Sequence, residues 1–360
     1  MGSDKLRSDE PFEIPVSQAN DALALALSTQ AKSCLRLDSP LYATILERSA
    51  RDAKAGGIVA HVLQPYTRDS FGSALGLRWL AAVHRIALRG DAPDLAARYP
   101  SCGGDGNIDL VWTAFCDVLD EHFDEVRSGT AVAMQTNEVD RSAALLGGFL
   151  AVADATRLPL RIFEFGASAG LNLRWDRYRY ESLGWAFGDA TSRLTLRDNF
   201  LSTPPISEVP VRVVERRGCD LHPIDPRSVE GRRTLVSFIW PDQLARIDRL
   251  KRACEIAREV DVVVDRSDAT AWLESDIVAP IRGATTVVFH SVMLQYVESE
   301  KRRRLQAAIA TIGDEATADA PFAHVFMEPP TFGASVRLWP GGESRSLFRS
   351  TAHGREITAV

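Results

Sequence analysis

The strongest indication of the fold is one stretch of sequence, Arg161-Ile-Phe-Glu-Phe-Gly-Ala-Ser-Ala-Gly-Leu-Asn172. The apolar run Leu160–Phe165 predicts a buried strand that ends at Gly166, and we expect a helix after Gly170. Glycine allows the backbone to turn sharply, and the small residues between the two glycines let a ligand approach the main chain. The free N–H groups of the following helix would face that ligand. The stretch therefore predicts a nucleotide-like ligand at the end of an α/β strand.

An acid precedes this turn: Glu164 lies two residues before the first glycine. A dinucleotide-binding turn does not need an acid there, whereas a carboxylate at the strand end can reach the ammonium group of S-adenosylmethionine. The pattern E-x-G-x-S-x-G resembles motif I of class I methyltransferases, with Ser168 at its middle glycine. A tight turn that binds no ligand is the alternative. The cofactor contacts implied by the resemblance are Glu164, Gly166, Ala167, Ser168, Gly170 and Asn172.

The same turn also matches the G-x-S-x-G nucleophile elbow of α/β-hydrolases, with Ser168 as the nucleophile of a serine hydrolase. An acid and a histidine must then follow, and Asp265 or Asp268 with His290 or His353 has the right order. Against this interpretation, everything upstream of the turn has a helical pattern, and no His-Gly-Gly oxyanion loop precedes it. An acid before the first glycine would also serve no purpose in an elbow.

Acidic residues follow the next two predicted strands as well. Asp220, followed by Leu221, resembles the second methyltransferase motif, and we expect its carboxylate to bind ribose hydroxyls; an Asx turn is the alternative. Asp268 and Ala269 resemble the third motif, where an acid or its neighbouring backbone meets the adenine amino group. The long separation of Gly166 from Asp220 predicts an inserted, irregular hairpin over residues 175–210.

A histidine ends the predicted strand that follows. His290 comes directly after the apolar run Thr285–Phe289, and ligands bind at the carboxyl ends of strands in open α/β sheets. We expect His290 to act as a general base or to contact the substrate; a structural histidine with satisfied hydrogen bonds is the alternative. Gln295 and Tyr296 lie just beyond it and are candidate substrate contacts.

Two further segments are candidates to cover the pocket. The run Leu235–Trp240 predicts another strand or part of a lid, which places Trp240 and Asp242 near the substrate; Asp242 equally fits a helix N-cap. The polar segment Met134–Arg141 either caps a helix or closes over the cofactor. The side chains that would then contact cofactor or substrate are Gln135, Asn137, Glu138 and Arg141.

The two halves of the chain differ in pattern. Apolar residues at three-to-four spacing predict helices through the first 150 residues, whereas short apolar runs alternate with helical stretches after Pro159. We therefore expect an all-helical N-terminal domain over residues 1–156, and a Rossmann-like α/β domain with a mostly parallel sheet over residues 157–360. The remaining predicted strand runs are Val211–Val214, Val260–Val264, His324–Met327 and Ser335–Leu338.

Composition limits the possible partners. The 360 residues are 45% apolar and 25% charged, with a net charge of −6, so no strong attraction to nucleic acid is expected. The basic block Lys301–Arg304 fits a solvated helix face. Five separated cysteines without a CxxC pair suggest neither a disulfide framework nor a metal site. With no signal peptide in Met1–Pro15 and no membrane-spanning run, we expect a soluble cytoplasmic protein; the oligomeric state stays open.

Several motifs together are similar to one bacterial family, the domain of unknown function family 2332. They are Gln135-Thr-Asn-Glu-Val-x-Arg141, Glu164-x-Gly-Ala-Ser-Ala-Gly-Leu-Asn-Leu-x-Trp-Asp-Arg-Tyr178, Gly218-Cys-Asp-Leu-x-Pro-x-Asp225, Trp240-Pro-Asp242, and His290-Ser291 with Gln295-Tyr296. The resemblance spans nearly the whole chain and implies a helical N-terminal region on a methyltransferase-like core.

The resulting functional expectation is an S-adenosylmethionine-dependent transferase that methylates a small-molecule acceptor. Transfer would be an in-line displacement at the sulfonium methyl, driven mostly by proximity and orientation, with His290 removing a proton from the acceptor. A non-catalytic protein that retained the fold and the ligand is the alternative.

Overall fold

The computed structural model describes residues 16–69, 73–204 and 209–360. Met1–Pro15, on which the expectation of no signal peptide rests, lies outside the described residues. The chain divides into two compact units. The first contains Met1–Val132 and Trp240–Gln243, and the second contains Ala133–Ile239 and Leu244–Val360.

The regular elements described in the first unit are helical. Pro40 is the first residue of its helix, and the Ser39 side chain caps that helix by accepting a hydrogen bond from the Tyr42 N–H. The core includes Trp79, which packs edge-on against Phe115 with ring centroids 5.2 Å apart. The helices are α1 (Val16–Arg36), α2 (Pro40–Lys54), α3 (Ile58–Leu63), α4 (Leu75–Arg89), α5 (Pro93–Ala96), α6 (Val111–Glu121) and α7 (Phe123–Thr130).

The second unit is built on a seven-stranded sheet with the order β10-β9-β8-β7-β1-β5-β6. Neighbouring strands from β8 to β6 pair in parallel, whereas β9 and β10 are antiparallel to their neighbours. The mostly parallel α/β class expected from the sequence is confirmed. The strands of this sheet are β1 (Leu160–Phe165), β5 (Val213–Asp220), β6 (Val263–Arg266), β7 (Thr285–Ser291), β8 (Phe322–Met327), β9 (Ala334–Trp339) and β10 (Glu343–Ser346).

Helices cover both faces of this sheet. On one face lies α8, whose Phe149 packs edge-on against Phe289 of β7 at 5.0 Å. On the other face, Phe163 of β1 packs in a cluster with Trp272 and Leu305. Because both faces are covered, β1 is buried at every position, as is typical of parallel sheets. The helices of this unit are α8 (Arg141–Thr156), α9 (Val229–Ser237), α10 (Leu244–Ile256), α11 (Ala269–Leu273) and α12 (Ser299–Asp314).

Helix α8, which the sequence pattern grouped with the N-terminal helices, belongs to the sheet-containing unit. Glycines allow it to lie close to the sheet: a Cβ on Gly148 would lie 2.5 Å from Val325 of β8. The inserted segment after the glycine turn forms a small sheet of order β3-β2-β4. The remaining strands are β2 (Arg179–Ser182), β3 (Trp185–Phe187), β4 (Thr195–Arg197), β11 (Phe348–Arg349) and β12 (Thr358–Ala359).

Two local predictions are wrong. The run Leu235–Trp240 is not a strand, because Leu235–Ser237 form the last turn of α9, a helix capped by the Ser228 side chain. A short apolar run fits a buried helix end as well as a strand. No α-helix follows Gly170 either: the segment Asn172–Arg177 forms a kinked 3₁₀ helix.

The sheet order determines where a ligand can bind. In an open α/β sheet the crevice lies at the carboxyl ends of the strands, where the strand order reverses. Here the order reverses at β1, which has β5 on one side and β7 on the other. The glycine turn follows β1, and His290 lies near the end of β7. These two predicted site features therefore meet at the topological switch point.

Candidate functional site

The glycine turn has an unusual backbone. Gly166, Ser168 and Gly170 all have positive φ angles, of 69°, 53° and 64°. Glycine adopts this region without steric penalty, whereas for serine it is uncommon. Every second residue of the turn thus has a left-handed backbone. Ala167, between the first two of them, packs against β5: a Cβ added to Gly218 would lie 2.8 Å from the Ala167 Cβ. The turn is therefore folded tightly onto the neighbouring strand.

Protein acceptors already occupy most N–H groups of this turn. Ala167 donates to the Cys219 carbonyl at 3.0 Å, and Gly170 donates to the Ala167 carbonyl at 2.7 Å. Ser168 N donates to Asp220 Oδ2 at 2.8 Å, and Leu171 N donates to Asn137 Oδ1 at 3.0 Å. A phosphate-binding loop needs such groups free. The hydrogen bonds therefore disfavour a phosphate cradle at this turn.

The Ser168 hydroxyl donates to Gln135 Oε1 at 2.5 Å. An activated serine nucleophile instead needs an imidazole within about 2.6–3.2 Å. Among the hydrogen bonds of the described residues, none joins Ser168 to a histidine. The contacts of this side chain therefore fit a turn anchored by Gln135 better than a nucleophile elbow.

Glu164 is a buried carboxyl group at the end of β1. It is 2% exposed, and its Oε2 atom has no hydrogen-bond partner. Burial, reinforced by the nearby Asp220 carboxylate, raises the pKa of Glu164 well above its usual value, although Arg141 and Arg174 oppose this rise. Leaving such an oxygen unsatisfied costs about 1–3 kcal/mol or more. The carboxyl thus lies at the sheet switch point without a hydrogen-bond partner for this oxygen.

The segment before α8 lies against the glycine turn. Besides accepting from Ser168, the Gln135 side chain donates to Asp220 Oδ1 at 3.4 Å. The Asn137 side chain accepts from the Leu171 N–H, and the Glu138 carbonyl accepts from Asn172 Nδ2 at 3.3 Å. Asn172 is almost fully buried, and its Oδ1 atom has no partner. The segment and the turn thus form one hydrogen-bonded assembly.

Glu138 does not face a ligand with a free carboxylate. It forms a buried ion pair with Arg246 of α10, in which Arg246 Nε donates to Glu138 Oε2 at 2.7 Å. Burial raises the pKa of Glu138, but Arg246, His353 and Arg141 together lower it to about 2. Its contacts therefore fit a role in holding the segment to α10.

Arg141, the first residue of α8, is buried without a salt bridge in the described part of the chain. It is 8% exposed and donates to two main-chain carbonyls, that of Ala352 at 3.0 Å and that of Ser291 at 3.3 Å. Burial lowers the pKa of Arg141, which nearby Glu138 partly counteracts. The guanidinium is therefore fixed at the carboxyl end of β7.

The two other predicted cofactor acids have structural contacts. Asp220 Oδ1 accepts from the His222 N–H at 2.8 Å, which is the Asx turn left open by the sequence, while Oδ2 accepts from Ser168. Asp268 caps α11 by accepting from the Thr270 N–H at 2.9 Å. The neighbouring Ala269 is half-buried and Leu221 is 59% exposed.

His290 has both ring nitrogens engaged by other side chains. Nδ1 lies 2.8 Å from Glu328 Oε1, and Nε2 lies 3.0 Å from Nε2 of His324. The ring is 1% exposed and lies against Phe165, with centroids 4.5 Å apart. A general base must present a free nitrogen to its substrate. These contacts favour the structural alternative for His290.

Glu328, which the sequence analysis missed, also fixes the loop after β7. Its Oε1 atom accepts from the N–H of Met293 at 2.9 Å and from that of Leu294 at 3.3 Å. Burial raises the pKa of Glu328, but the hydrogen bonds from His290 and the loop lower it below its usual value. An acid directly after a strand was the signal used for Asp220, and the same rule applied to β8 would have found Glu328.

The loop held by Glu328 lies next to the glycine turn. A Cβ on Gly166 would lie 3.2 Å from the Met293 Cβ, so the two loops of the switch point are in contact. Val292 has a φ of 53°, which is a true outlier for a β-branched residue. The candidate substrate residues Gln295 and Tyr296 follow in a short 3₁₀ helix, and Tyr296 is exposed.

Trp240 and Asp242 belong to the first unit. Trp240 is buried in its core beside Tyr42, with ring centroids 6.4 Å apart. Asp242 accepts from Ser39 Oγ at 2.7 Å and from the Leu41 N–H at 3.1 Å. It therefore caps α2 rather than the helix that follows it, and its role toward a substrate stays a prediction.

The described residues contain no cluster of three or more His, Cys, Asp or Glu side chains arranged to hold a metal ion. Of the helices in residues 16–69, 73–204 and 209–360, none is long and apolar enough to cross a membrane.

Comparison with known proteins identifies a family but no characterised relative. Neither the curated proteins nor the solved structures include a significant match. The family model described as "Uncharacterized protein conserved in bacteria (DUF2332)" matches residues 24–358, which is nearly the whole chain. This protein therefore belongs to the bacterial DUF2332 family.

Proposed function

We propose that the second unit binds S-adenosylmethionine at the carboxyl ends of β1, β5 and β6 and transfers its methyl group to a small-molecule acceptor. The observation that carries this proposal is the buried, unpartnered carboxyl of Glu164 at the switch point. Buried polar groups are almost always satisfied, and the exceptions call for an explanation. A cationic ligand group would satisfy this one and would keep its carboxylate ionised.

The residues around Glu164 fit the remaining parts of this cofactor. Asp220 has lone pairs left for ribose hydroxyls, because each of its oxygens accepts few hydrogen bonds from the protein. Leu221, exposed at the next strand end, offers an apolar surface for a base. The N–H groups of the turn are used internally, which favours a ligand without phosphates over a dinucleotide.

The sheet order and the backbone strain support a ligand at this edge. The order β6-β5-β1-β7-β8 corresponds to the 3-2-1-4-5 arrangement of nucleotide-binding α/β folds. Ser168 and Val292, both left-handed without being glycine, lie in the two loops that meet at the switch point. Strained residues of this kind cluster at ligand-binding sites.

When bound, S-adenosylmethionine supplies a methyl group on a positively charged sulfur. The chain's own contribution is to orient the cofactor through Glu164 and Asp220 and to hold the acceptor in line with the methyl group. Orientation of this kind accounts for much of the rate of such transfers. Glu328 and His290 act as positioning residues in this account, because they fix the loop Met293–Leu294 beside the glycine turn.

Equilibrium binding tests the proposal. Calorimetric titration of the full chain with S-adenosylmethionine should show saturable binding, and Glu164→Gln should weaken it at least about tenfold, equivalent to about 1.4 kcal/mol. ATP and NAD serve as control ligands, since both depend on phosphate contacts, and neither should bind with comparable affinity. Absence of binding to S-adenosylmethionine would overturn the proposal.

Turnover separates an enzyme from a non-catalytic binder. Incubation of the protein with S-adenosylmethionine and a low-molecular-weight metabolite fraction should produce S-adenosylhomocysteine. Binding without any S-adenosylhomocysteine formation, over a range of such fractions, would favour a ligand-binding protein on the same fold.

A further inference from the structure

Two ionisable groups at the switch point, one acidic and one basic, are both buried and both without an ion-pair partner in the described part of the chain. Glu164 lies at the end of β1, and Arg141 lies at the start of α8. Charged groups with this degree of burial are normally paired. The two do not form a salt bridge with each other, yet Arg141 lowers the pKa of Glu164, so their charges are close without touching.

The sheet register places both groups on the same face. Glu164 is aligned with Phe289 in the parallel pairing of β1 with β7, and aligned residues point to the same side. Phe289 faces α8, because it packs against Phe149 of that helix. Arg141 is the first residue of α8 and donates to the Ser291 carbonyl. The carboxyl and the guanidinium therefore lie between the sheet and the N-terminal end of α8.

The ammonium and the carboxylate of an amino acid carry the charges complementary to this pair. Ser291 lies two residues beyond Phe289 and one strand away from Glu164, which separates the two backbones by about 8 Å. In an α-amino acid, the ammonium nitrogen and a carboxylate oxygen are about 3 Å apart. Two flanking hydrogen bonds of about 2.9 Å extend that span to about 9 Å. The span of a hydrogen-bonded zwitterion is thus comparable with the separation of the two backbones.

We infer that Arg141 binds the α-carboxylate of the same ligand whose ammonium group binds Glu164. The site would then select nucleosides that carry a complete α-amino acid. This inference rests on the function proposed above. Arg141 is suited to this task because its planar guanidinium holds a carboxylate by two hydrogen bonds. Its contacts with the Ser291 and Ala352 carbonyls fix the guanidinium in place without neutralising its charge. The site should therefore bind ligands that lack the carboxylate more weakly.

Three ligands test this inference on the intact chain: S-adenosylmethionine, its decarboxylated analogue, and 5′-methylthioadenosine, which lacks the whole amino-acid group. The wild type should bind S-adenosylmethionine at least about tenfold more tightly than the decarboxylated analogue. Arg141→Gln should remove that difference: its affinity for S-adenosylmethionine should fall at least tenfold, and its affinity for the decarboxylated analogue less than twofold. Arg141→Lys retains the charge without the bidentate geometry, so its affinity for S-adenosylmethionine should lie between those of the wild type and Arg141→Gln.

The control is Arg282→Gln, which removes a charge at the exposed ion pair with Asp319 and should change no affinity. If Arg141→Gln does not fold, the wild-type comparison of the two charged ligands decides alone. Equal affinity for S-adenosylmethionine and its decarboxylated analogue overturns the Arg141 assignment and leaves the proposed function standing. If the wild type binds none of the three, both the function and this inference are overturned.

Discussion

Replacing Glu164 by glutamine should stabilise the protein while it impairs ligand binding. In the folded chain the Glu164 carboxyl is buried and its Oε2 atom accepts no hydrogen bond. Burial and the neighbouring Asp220 raise its pKa well above the usual value. Glutamine has nearly the same shape and is neutral at every pH, so it removes the electrostatic penalty and retains the packing.

The size of this effect follows from proton linkage. In the unfolded chain the pKa of a glutamate is about 4.3, whereas the folded pKa of Glu164 is higher. The neutral carboxyl therefore contributes its full stability below about pH 4.3, and this contribution is lost as the pH rises through the folded pKa. Between those two values the wild type loses about 1.4 kcal/mol per pH unit relative to Glu164→Gln.

Glu138→Gln is the matched control, because it alters a second buried glutamate of the same unit that is paired with Arg246. Its folded pKa is about 2, below the unfolded value, so the ionised form contributes stability above about pH 4.3. That contribution is lost as the pH falls toward 2. Breaking a buried pair costs about 3–5 kcal/mol, so Glu138→Gln should be less stable than the wild type from pH 5 to 8. The difference should be constant only from pH 7 to 8, above the pKa of about 6 to which burial and Glu138 raise the neighbouring Asp140.

Thermal unfolding from pH 5 to 8 measures both variants against the wild type, and about 1 kcal/mol corresponds to a shift of about 2–4 °C in a unit of this size. The midpoint of Glu164→Gln should rise relative to the wild type as the pH increases, whereas that of Glu138→Gln should stay below it at every pH. A Glu164→Gln variant that is less stable than the wild type at pH 7 would refute the reasoning, as would a difference that does not change between pH 5 and 7.

Three further substitutions test the loops of the switch point. Ser168→Gly relieves a left-handed serine but loses one hydrogen bond, so its unfolding free energy should stay within about 1 kcal/mol of the wild-type value. Its affinity for S-adenosylmethionine should be retained. Stoichiometric labelling of the wild type by a fluorophosphonate, lost in this variant, would show that Ser168 is a nucleophile and contradict the prediction. Gly218→Ala brings a methyl group to 2.8 Å from the Ala167 Cβ and should lower stability by about 1–3 kcal/mol, so an unchanged melting temperature would count against the tight turn. Glu328→Gln weakens the hold on Met293 and should lower both stability and S-adenosylmethionine affinity, and normal values of both would remove its positioning role.

Much of the sheet could be predicted because its central strands are buried on both faces. The run Leu160–Phe165 was predicted with the bounds that β1 has in the structure, and β7, β8 and β9 each contain a predicted run. Where the apolar run was short, local pattern failed: Leu235–Ser237 end a helix. The 3₁₀ helix after Gly170 was also missed; there the Tyr178 hydroxyl donates to the Leu171 carbonyl, a side-chain contact that apolar periodicity does not reveal.

The polar contacts of the candidate site were less predictable, because they depend on register and on partners far along the chain. The sequence marked His290 but could not show that pairing of β7 with β8 brings His324 to its Nε2 atom. It marked Glu138 and Arg141 as equivalent, although Glu138 is paired with Arg246 whereas Arg141 donates to two main-chain carbonyls. The buried, unpartnered state of Glu164 depends on every element around it and appears only in three dimensions.

The most direct test of the central claim, that Glu164 receives a ligand ammonium group, is the number of protons exchanged when S-adenosylmethionine binds. Titrations at pH 7 in buffers of different ionisation enthalpy measure this number. Burial raises the pKa of Glu164 and so favours the neutral carboxyl in the free protein, while the ligand's amino group, with a pKa of about 7.7–8.0, already carries its proton. Binding should therefore release protons from the wild type, up to one per site, and none from Glu164→Gln. Tight binding without proton release in the wild type, or with equal release in both proteins, would contradict the account.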